Sequence, residues 1–481
     1  MTENRACRLM LVAVLMLVGL SQPAPASAAG PAGTPGAGLV GTWIGASLLV
    51  LFALAYALVI AEERLHLRKS VPVMVTAGVM WVLVAAGGAR IGGTEAVQAA
   101  VRHNLLEFGE LFLFLLSAIT YVNTLEERQV FDSLRGWLLS RRLGLRALFW
   151  ATGALAFCIS PVADNLTTTL VMGAVAISVG GCNARFVTVA CINIVVAANA
   201  GGAFSPFGDI TTLMVWQKGV VPFSGFLPLL APALVNWLVP AALMSFAIGK
   251  GEPEAGAVSA PMRAGAFVVL AMFLATIALT VVLQALLGLP PALGMMTGLG
   301  ALKVYSYFLK RAAEKAVAAD GSGDLLSAFA YRKDPEDAFD VFKLLERVEW
   351  DTIMFFYGVM LCVGALATAG YLGIAAHGLY GTLGPTAANT IVGVLSAVVD
   401  NIPVMFAVLT MRPEMSLAQW QLVTLTAGVG GSLLSIGSAA GVALMGQARG
   451  VYTFRSHLKW SWAVALGYAA SVWLQWFLHI R

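Results

Sequence analysis

Twice in this chain an aspartate and an asparagine stand side by side inside an apolar run. The first copy is Ser160-Pro-Val-Ala-Asp164-Asn165-Leu-Thr-Thr-Thr169, and the second, 236 positions later, is Ser396-Ala-Val-Val-Asp400-Asn401-Ile-Pro403. Serine, valine, aspartate and asparagine recur in register, and Leu166 is matched by Ile402. Each copy is followed by a glycine-broken polar stretch, Asn199-Ala-Gly-Gly-Ala-Phe-Ser-Pro-Phe-Gly-Asp209 and Gly430-Gly-Ser-Leu-Leu-Ser435-Ile-Gly-Ser438. The surrounding chain is 59% hydrophobic and only 11% charged. A chain of this length and polarity crosses a bilayer repeatedly, in helices of about 20 residues. Broken backbone at that depth is tolerated only where protein or a wet cavity surrounds it. The four breaks are therefore expected to meet inside the protein.

The segments around them set the expected organisation. Arg5 and Arg8 precede an apolar run and an Ala-Ser-Ala end, so 1–28 reads as a cleavable signal peptide and 29–38 as a Gly/Pro/Ala linker. N-terminal helices are expected over 39–104, a first repeat over 105–250, connecting helices over 251–308, a cytoplasmic loop over 309–348 and a second repeat over 349–481. The arms Leu145–Ser160 and Leu166–Gly180 have about 15 residues each, short of the ~20 a crossing needs, which favours re-entrant hairpins. Five spans, counting neither hairpin, separate the start of the first repeat from the start of the second, so the second is expected to run upside down. The fold class is an all-α polytopic membrane protein of inverted repeats, each with a re-entrant hairpin and a broken helix, about 10 full spans plus 2 hairpins. Basic residues such as Arg64, Arg68, Lys69, Arg135 and Arg141 gather on alternate loops. The positive-inside rule then puts the mature N-terminus and the C-terminus outside a bacterial inner membrane.

An ionised carboxylate at a helix centre costs at least ~2.5 kcal/mol to insert. Asp164, Asp209 and Asp400 are the acids in the breaks, and no lysine or arginine lies beside them there. Each must hold a proton or a cation, and a site that takes either in turn is an exchanger in miniature. Hard monovalent cations take oxygen ligands. Asn165, Asn199 and Asn401 offer amide oxygens; Thr168, Thr211, Thr212, Ser396, Ser435 and Ser438 offer hydroxyls. Ser160 precedes Asp164 by four, as Ser396 precedes Asp400, placing each pair on one helix face. Na⁺ or Li⁺ is expected at Asp164 and Asp400. Glu110 and Asp351, near span ends, and the interfacial His103 are candidates for a proton relay or access path. Five cysteines without metal or redox spacing, and a net charge of only +4, give no reason to expect a cofactor or nucleic acid. The expected partners are monovalent cations, protons and the lipid bilayer.

At these residues the chain resembles the NhaD family of sodium/proton antiporters, within the wider ion-transporter superfamily. The matching text includes the Ser160–Thr169 tip, Gly201–Thr212, Asp351–Cys362, Val399–Pro403 and Gly430–Met445. The resemblance implies exchange of cytoplasmic Na⁺ or Li⁺ for external H⁺, two oppositely facing hairpins beside two broken helices, elevator-like movement and a homodimer. It implies a functional set of Glu110, Ser160, Asp164, Asn165, Asn199, Asp209, Thr211, Thr212, Asp351, Ser396, Asp400, Asn401, Ser435 and Ser438. Two other readings compete. A Na⁺-coupled anion or dicarboxylate symporter of the same superfamily carries tips that resemble Ser-Asn-Thr, and a carboxylate at each tip would repel its substrate. An intramembrane aspartyl protease is suggested by Phe207-Gly-Asp209 and Pro232-Ala-Leu, but the first glycine of its Gly-x-Gly-Asp motif is absent.

Overall fold

A computed structural model describes residues 37–320 and 348–481, less 66, 91–92, 142, 182, 250–261 and 264. The expected signal peptide and most of the expected linker and 309–348 loop lie outside the described residues. Every regular element among those described is a helix. Nine helices there are long and apolar enough to cross a membrane. The chain is a polytopic, all-α membrane protein.

It divides into two compact units. The first comprises residues through Gly109, Glu349–Thr382 and Phe406–Pro413. Its helices are α1 (Trp43–Ile60), α2 (Ser70–Arg90) and the first half of α3 (Thr94–Glu127), with α12 (Trp350–Thr368) and α13 (Tyr371–Ala376) from late in the chain. Thr42 starts α1 by accepting from the Gly45 amide. Leu48, Ala77, Met80, Val84 and Ala365 form the core. Gly358 lets α12 lie directly on α2, since a Cβ there would stand 2.7 Å from the Val73 carbonyl carbon. The Ser70 hydroxyl donates to Asp351 in this unit.

The second unit holds Glu110–Val348, Leu383–Met405 and Glu414–Arg481. Its early helices are α4 (Val130–Ser140), α5 (Leu145–Ala163), α6 (Asn165–Gly180), α7 (Ala184–Gly202), α8 (Ile210–Gln217), α9 (Leu230–Ser245), α10 (Ala266–Leu287) and α11 (Pro291–Asp320). Later come α14 (Thr382–Leu395), the first part of α15 (Asn401–Met411) as far as Met405, α16 (Leu417–Gly430), α17 (Ala439–Gln447), α18 (Phe454–Leu458) and α19 (Ser461–Gln475). α7 and α16 form its centre: nearly every residue from Phe186 to Gly202, and every one from Gln419 to Gly430, is buried. A polar side chain that deep needs partners. Asn193 finds them in the Phe149 carbonyl of α5 and the Trp237 indole of α9, tying three helices together.

Two boundaries differ from the sequence reading. α5 has 19 residues rather than about 15, because Pro161 sits inside its last turn and does not end it. A proline removes only the one bond to the carbonyl four residues back, and the helix continues through Ala163 before Asp164 breaks it. Length alone therefore does not separate a re-entrant arm from a spanning one here. α3 begins at Thr94, well before the expected Leu105, because Glu95, Arg102 and Glu107 interrupt the apolar pattern without interrupting the helix.

Candidate cation site

The two central helices end alike. α7 stops at Gly201-Gly202 and α8 resumes at Ile210; α16 stops at Gly430, followed by Gly431, and α17 resumes at Ala439. A Cβ on Gly201 would stand 2.3 Å from the Phe157 carbonyl oxygen, and one on Gly430 2.0 Å from that of Gly393. These are the carbonyls that lose their helical donors: Pro161 has no N–H for Phe157, and the Ala397 amide turns to Val394 instead of Gly393. The Ser160 hydroxyl donates to the Ala198 carbonyl at 2.6 Å, and Ser396 to Ala427 at 2.8 Å. Gly202 packs on the Gly208 carbonyl as Gly431 packs on that of Gly437. All these contacts recur at a displacement of 236 in the tips and 229 in the central helices.

The acids sit where half-helices begin. Asp209 caps α8 through the Thr211 amide, and Ser438, its counterpart, caps α17 through Gly441. Asp164 caps α6: the Thr167 amide donates to its Oδ1 at 2.8 Å and the Thr167 hydroxyl to its Oδ2 at 2.9 Å. A helix N-terminus favours negative charge by about 0.3–1 kcal/mol, which offsets part of the cost of keeping an acid there. Asp164 also has φ 55°. A non-glycine residue in such a conformation costs about 1–3 kcal/mol and persists where surrounding structure requires it. At the second tip Pro403 stands where Thr167 does, and it can supply neither of those two hydrogen bonds.

Hydrogen bonds then join the four breaks. Asn165 Nδ2 donates to Asn199 Oδ1 at 3.0 Å, and Asn199 Nδ2 donates onward to Ser432 Oγ at 2.8 Å and Ser438 Oγ at 3.0 Å. From the other tip, Asn401 Nδ2 donates to Asp209 Oδ2 at 2.9 Å. Asp400 precedes Asn401 in the chain, so that bond also brings the second tip's acid to the side of Asp209. Asp209, Asn199, Asn165 and Asn401 are buried, and Asp164 and Asp400 half-buried. The Thr168 and Ser435 hydroxyl oxygens are buried with no partner in hydrogen-bond geometry, and the Thr211 hydroxyl lies beside the Asp209 carboxylate. Buried hydroxyls usually find partners, so the Thr168 and Ser435 oxygens keep lone pairs to offer.

Of the expected residues, Ser160, Ser396 and Thr212 bond break or helix carbonyls, Thr212 to those of Ser205 and Asp209. The Asn199 oxygen, expected to face a cation, accepts from Asn165 instead. Glu110 is half-buried in the same unit. Asp351 and His103 belong to the first unit, where His103 pairs with Glu107 at 2.6 Å from the exposed side of α3. Four residues escaped sequence reasoning: Thr167, Ser432, His457 and Ser461. The buried His457 imidazole donates from Nε2 to the Ser432 carbonyl at 2.9 Å and accepts the Tyr452 hydroxyl on Nδ1 at 2.8 Å, the tautomer those partners demand. Ser461, one turn on, donates to the Leu433 carbonyl at 2.7 Å. The carbonyls released where α16 ends thus get their donors from the segment that follows α17.

Residues 56–430 match the citrate transporter (CitMHS) family. The chain is 51% identical to the Na(+)/H(+) antiporter NhaD of Alkalimonas amylolytica, over 98% of its own length and 97% of that protein. It is 52% identical to the Na(+)/H(+) antiporter NhaD of Vibrio cholerae, over 89% and 91% of the two chains. It is 32% identical to Sodium/proton antiporter 1 of Arabidopsis thaliana, over 90% of this chain and 73% of that one.

Proposed function

This chain belongs to the NhaD family of Na⁺/H⁺ antiporters, within the broader citrate transporter family, and on that premise we propose that it exchanges cytoplasmic Na⁺ or Li⁺ for external H⁺ across a bacterial inner membrane. The observation that carries the reading is the set of bonds running from Asn165 through Asn199 to Ser432 and Ser438, and from Asn401 to Asp209. It supports one cluster holding Asp164, Asp209 and Asp400 beside hydroxyl oxygens that lack partners. A cation entering from the cytoplasm takes carboxylate and hydroxyl oxygens, and the acids release protons to admit it. Protons arriving from outside refill the acids and release the cation. The three acids share the exchanged protons, which then belong to the cluster and not to one residue.

In this scheme Asp164, Asp209, Asp400, Thr168, Thr211 and Ser435 face the cation. Asn165, Asn199, Asn401, Ser438, Ser160, Ser396 and Thr212 hold the breaks in place. Glu110, Asp351 and His103 serve the path to it. The two halves are inverted repeats, with both termini outside and a homodimer as the working assembly. The citrate of the family's name is disfavoured as cargo, because three carboxylates would face a polyanion. Proteoliposomes containing a trapped pH indicator decide it. An imposed Na⁺ gradient should drive proton movement without citrate or succinate. Proton movement that appears only when a carboxylate is added would favour symport.

Two further outcomes follow from the hydrogen bonds. Thr167→Val keeps the amide donor to Asp164 and loses the hydroxyl donor. Half-maximal Na⁺ should rise about tenfold, the scale of one charge-assisted hydrogen bond. Thr167→Ser should restore it; a wild-type half-maximal Na⁺ in Thr167→Val would show that the hydroxyl does not hold the carboxylate. His457→Ala strips the Ser432 carbonyl of its donor, costing about 1–3 kcal/mol. Thermal unfolding in detergent should show the loss, and His457→Gln, which keeps an N–H in reach, should recover most of it.

A further inference from the structure

The two central helices meet the opposite breaks in matching ways, with one difference. Asn199 of α7 reaches Ser432 and Ser438. Its counterpart on α16, 229 positions later, is Gly428. Gly428 faces Ala203 and Asp209, the counterparts of Ser432 and Ser438: a Cβ there would lie 3.6 Å from Ala203 Cβ and 3.9 Å from Asp209 Oδ2. So where the first half places an amide side chain against a serine, the second places nothing against an aspartate. The same Cβ position is 3.9 Å from Thr211 Oγ1. That hydroxyl is 0% exposed and lies beside the Asp209 carboxylate. Asp209 itself is 4% exposed, and its Oδ2 already accepts from Asn401. The counterpart of Asn401, Asn165, instead donates to residue 199, whose counterpart Gly428 has no side chain to accept.

We propose that the transported cation sits in the space Gly428 leaves beside Asp209 Oδ2 and Thr211 Oγ1, and that the size of residue 428 sets the discrimination between Na⁺ and Li⁺. This rests on the exchange reading above and gives it a position. A carboxylate and a hydroxyl are hard oxygen donors. A methyl group there narrows the space without displacing the donors. Its distances from Ala203, Asp209 and Thr211 are ordinary van der Waals contacts, so alanine fits without displacing backbone. Asparagine would instead reproduce the first half's contact and put an amide donor where the cation belongs.

The test measures half-maximal Na⁺ and Li⁺, maximal rate and thermal midpoint for wild type, Gly428→Ala and Gly428→Asn in proteoliposomes. One extra methylene in a fitted site shifts discrimination by about tenfold. Gly428→Ala should raise half-maximal Na⁺ by about tenfold and that for Li⁺, the smaller ion, by about threefold or less, at an unchanged thermal midpoint. Gly428→Asn should fold and fail with both ions. Equal half-maximal values for wild type and Gly428→Ala, or equal loss with the two ions, would overturn the placement. A wild-type protein with no Na⁺-driven proton movement would instead overturn the exchange reading on which it stands.

Discussion

Asp400→Asn is expected to insert, fold and bind its neighbours as the wild type does, and to exchange no Na⁺ for H⁺. Asparagine has the shape of aspartate and keeps an acceptor oxygen. It cannot carry a negative charge or take up and release the exchanged proton. If this half-buried carboxylate contributes about 3 kcal/mol to holding the cation, its loss weakens binding about a hundredfold, and without a titrating group the proton side of the cycle stops altogether. Asp164→Asn should behave alike. Asparagine tolerates the positive φ at this position better than most residues, and its side-chain oxygen can still accept from the Thr167 amide. Fluorescence dequenching in everted vesicles on Na⁺ addition should be absent in both variants at protein levels matching wild type. A wild-type response from either would remove that acid from the exchange.

The second large effect is steric. Gly430→Ala puts a methyl group 2.0 Å from the Gly393 carbonyl oxygen, and Gly201→Ala puts one 2.3 Å from that of Phe157. Both obstacles are backbone atoms of the neighbouring tip, which cannot move aside as a flexible side chain would. Overpacking of this kind typically costs about 1–3 kcal/mol or more. Either variant should lose transport together with thermal stability. Gly428→Ala, two residues earlier on α16, meets only ordinary contacts. It should keep its thermal midpoint, so the trio separates a packing fault from a fault in the cation's surroundings. An unchanged midpoint in Gly430→Ala would mean that the tip does not lie against α16 in the membrane.

Much of this was legible before any coordinates. The apolar lengths marked the spans, and the recurrence of Asp-Asn 236 positions apart marked the tips. Ser160 and Ser396, four before each aspartate, were visible by spacing, although both serve neighbouring carbonyls. Thr167 could have been read as a capping partner, since aspartate commonly caps the residues two and three beyond it. The crossing of Asn199 to Ser432 and Ser438 could not, because no periodicity links residues more than two hundred positions apart. His457 gave no signal either: among Arg455, Ser456 and Lys459 it looks like one more polar loop residue, and only packing shows it buried. Gly428 was hidden for the opposite reason. A glycine in a membrane helix ordinarily reads as close packing, and its meaning emerges only when Asn199 is seen doing something across the pseudo-symmetric contact.

The most direct measurement is proton release on Na⁺ binding to the purified protein in detergent, followed with a pH indicator in weak buffer. Adding NaCl to the wild type should acidify the solution saturably, while choline chloride should not, and Asp164→Asn and Asp400→Asn should release little or nothing. Na⁺ binding by the wild type with no accompanying proton release would contradict the claim that one cluster of carboxylates serves both ions.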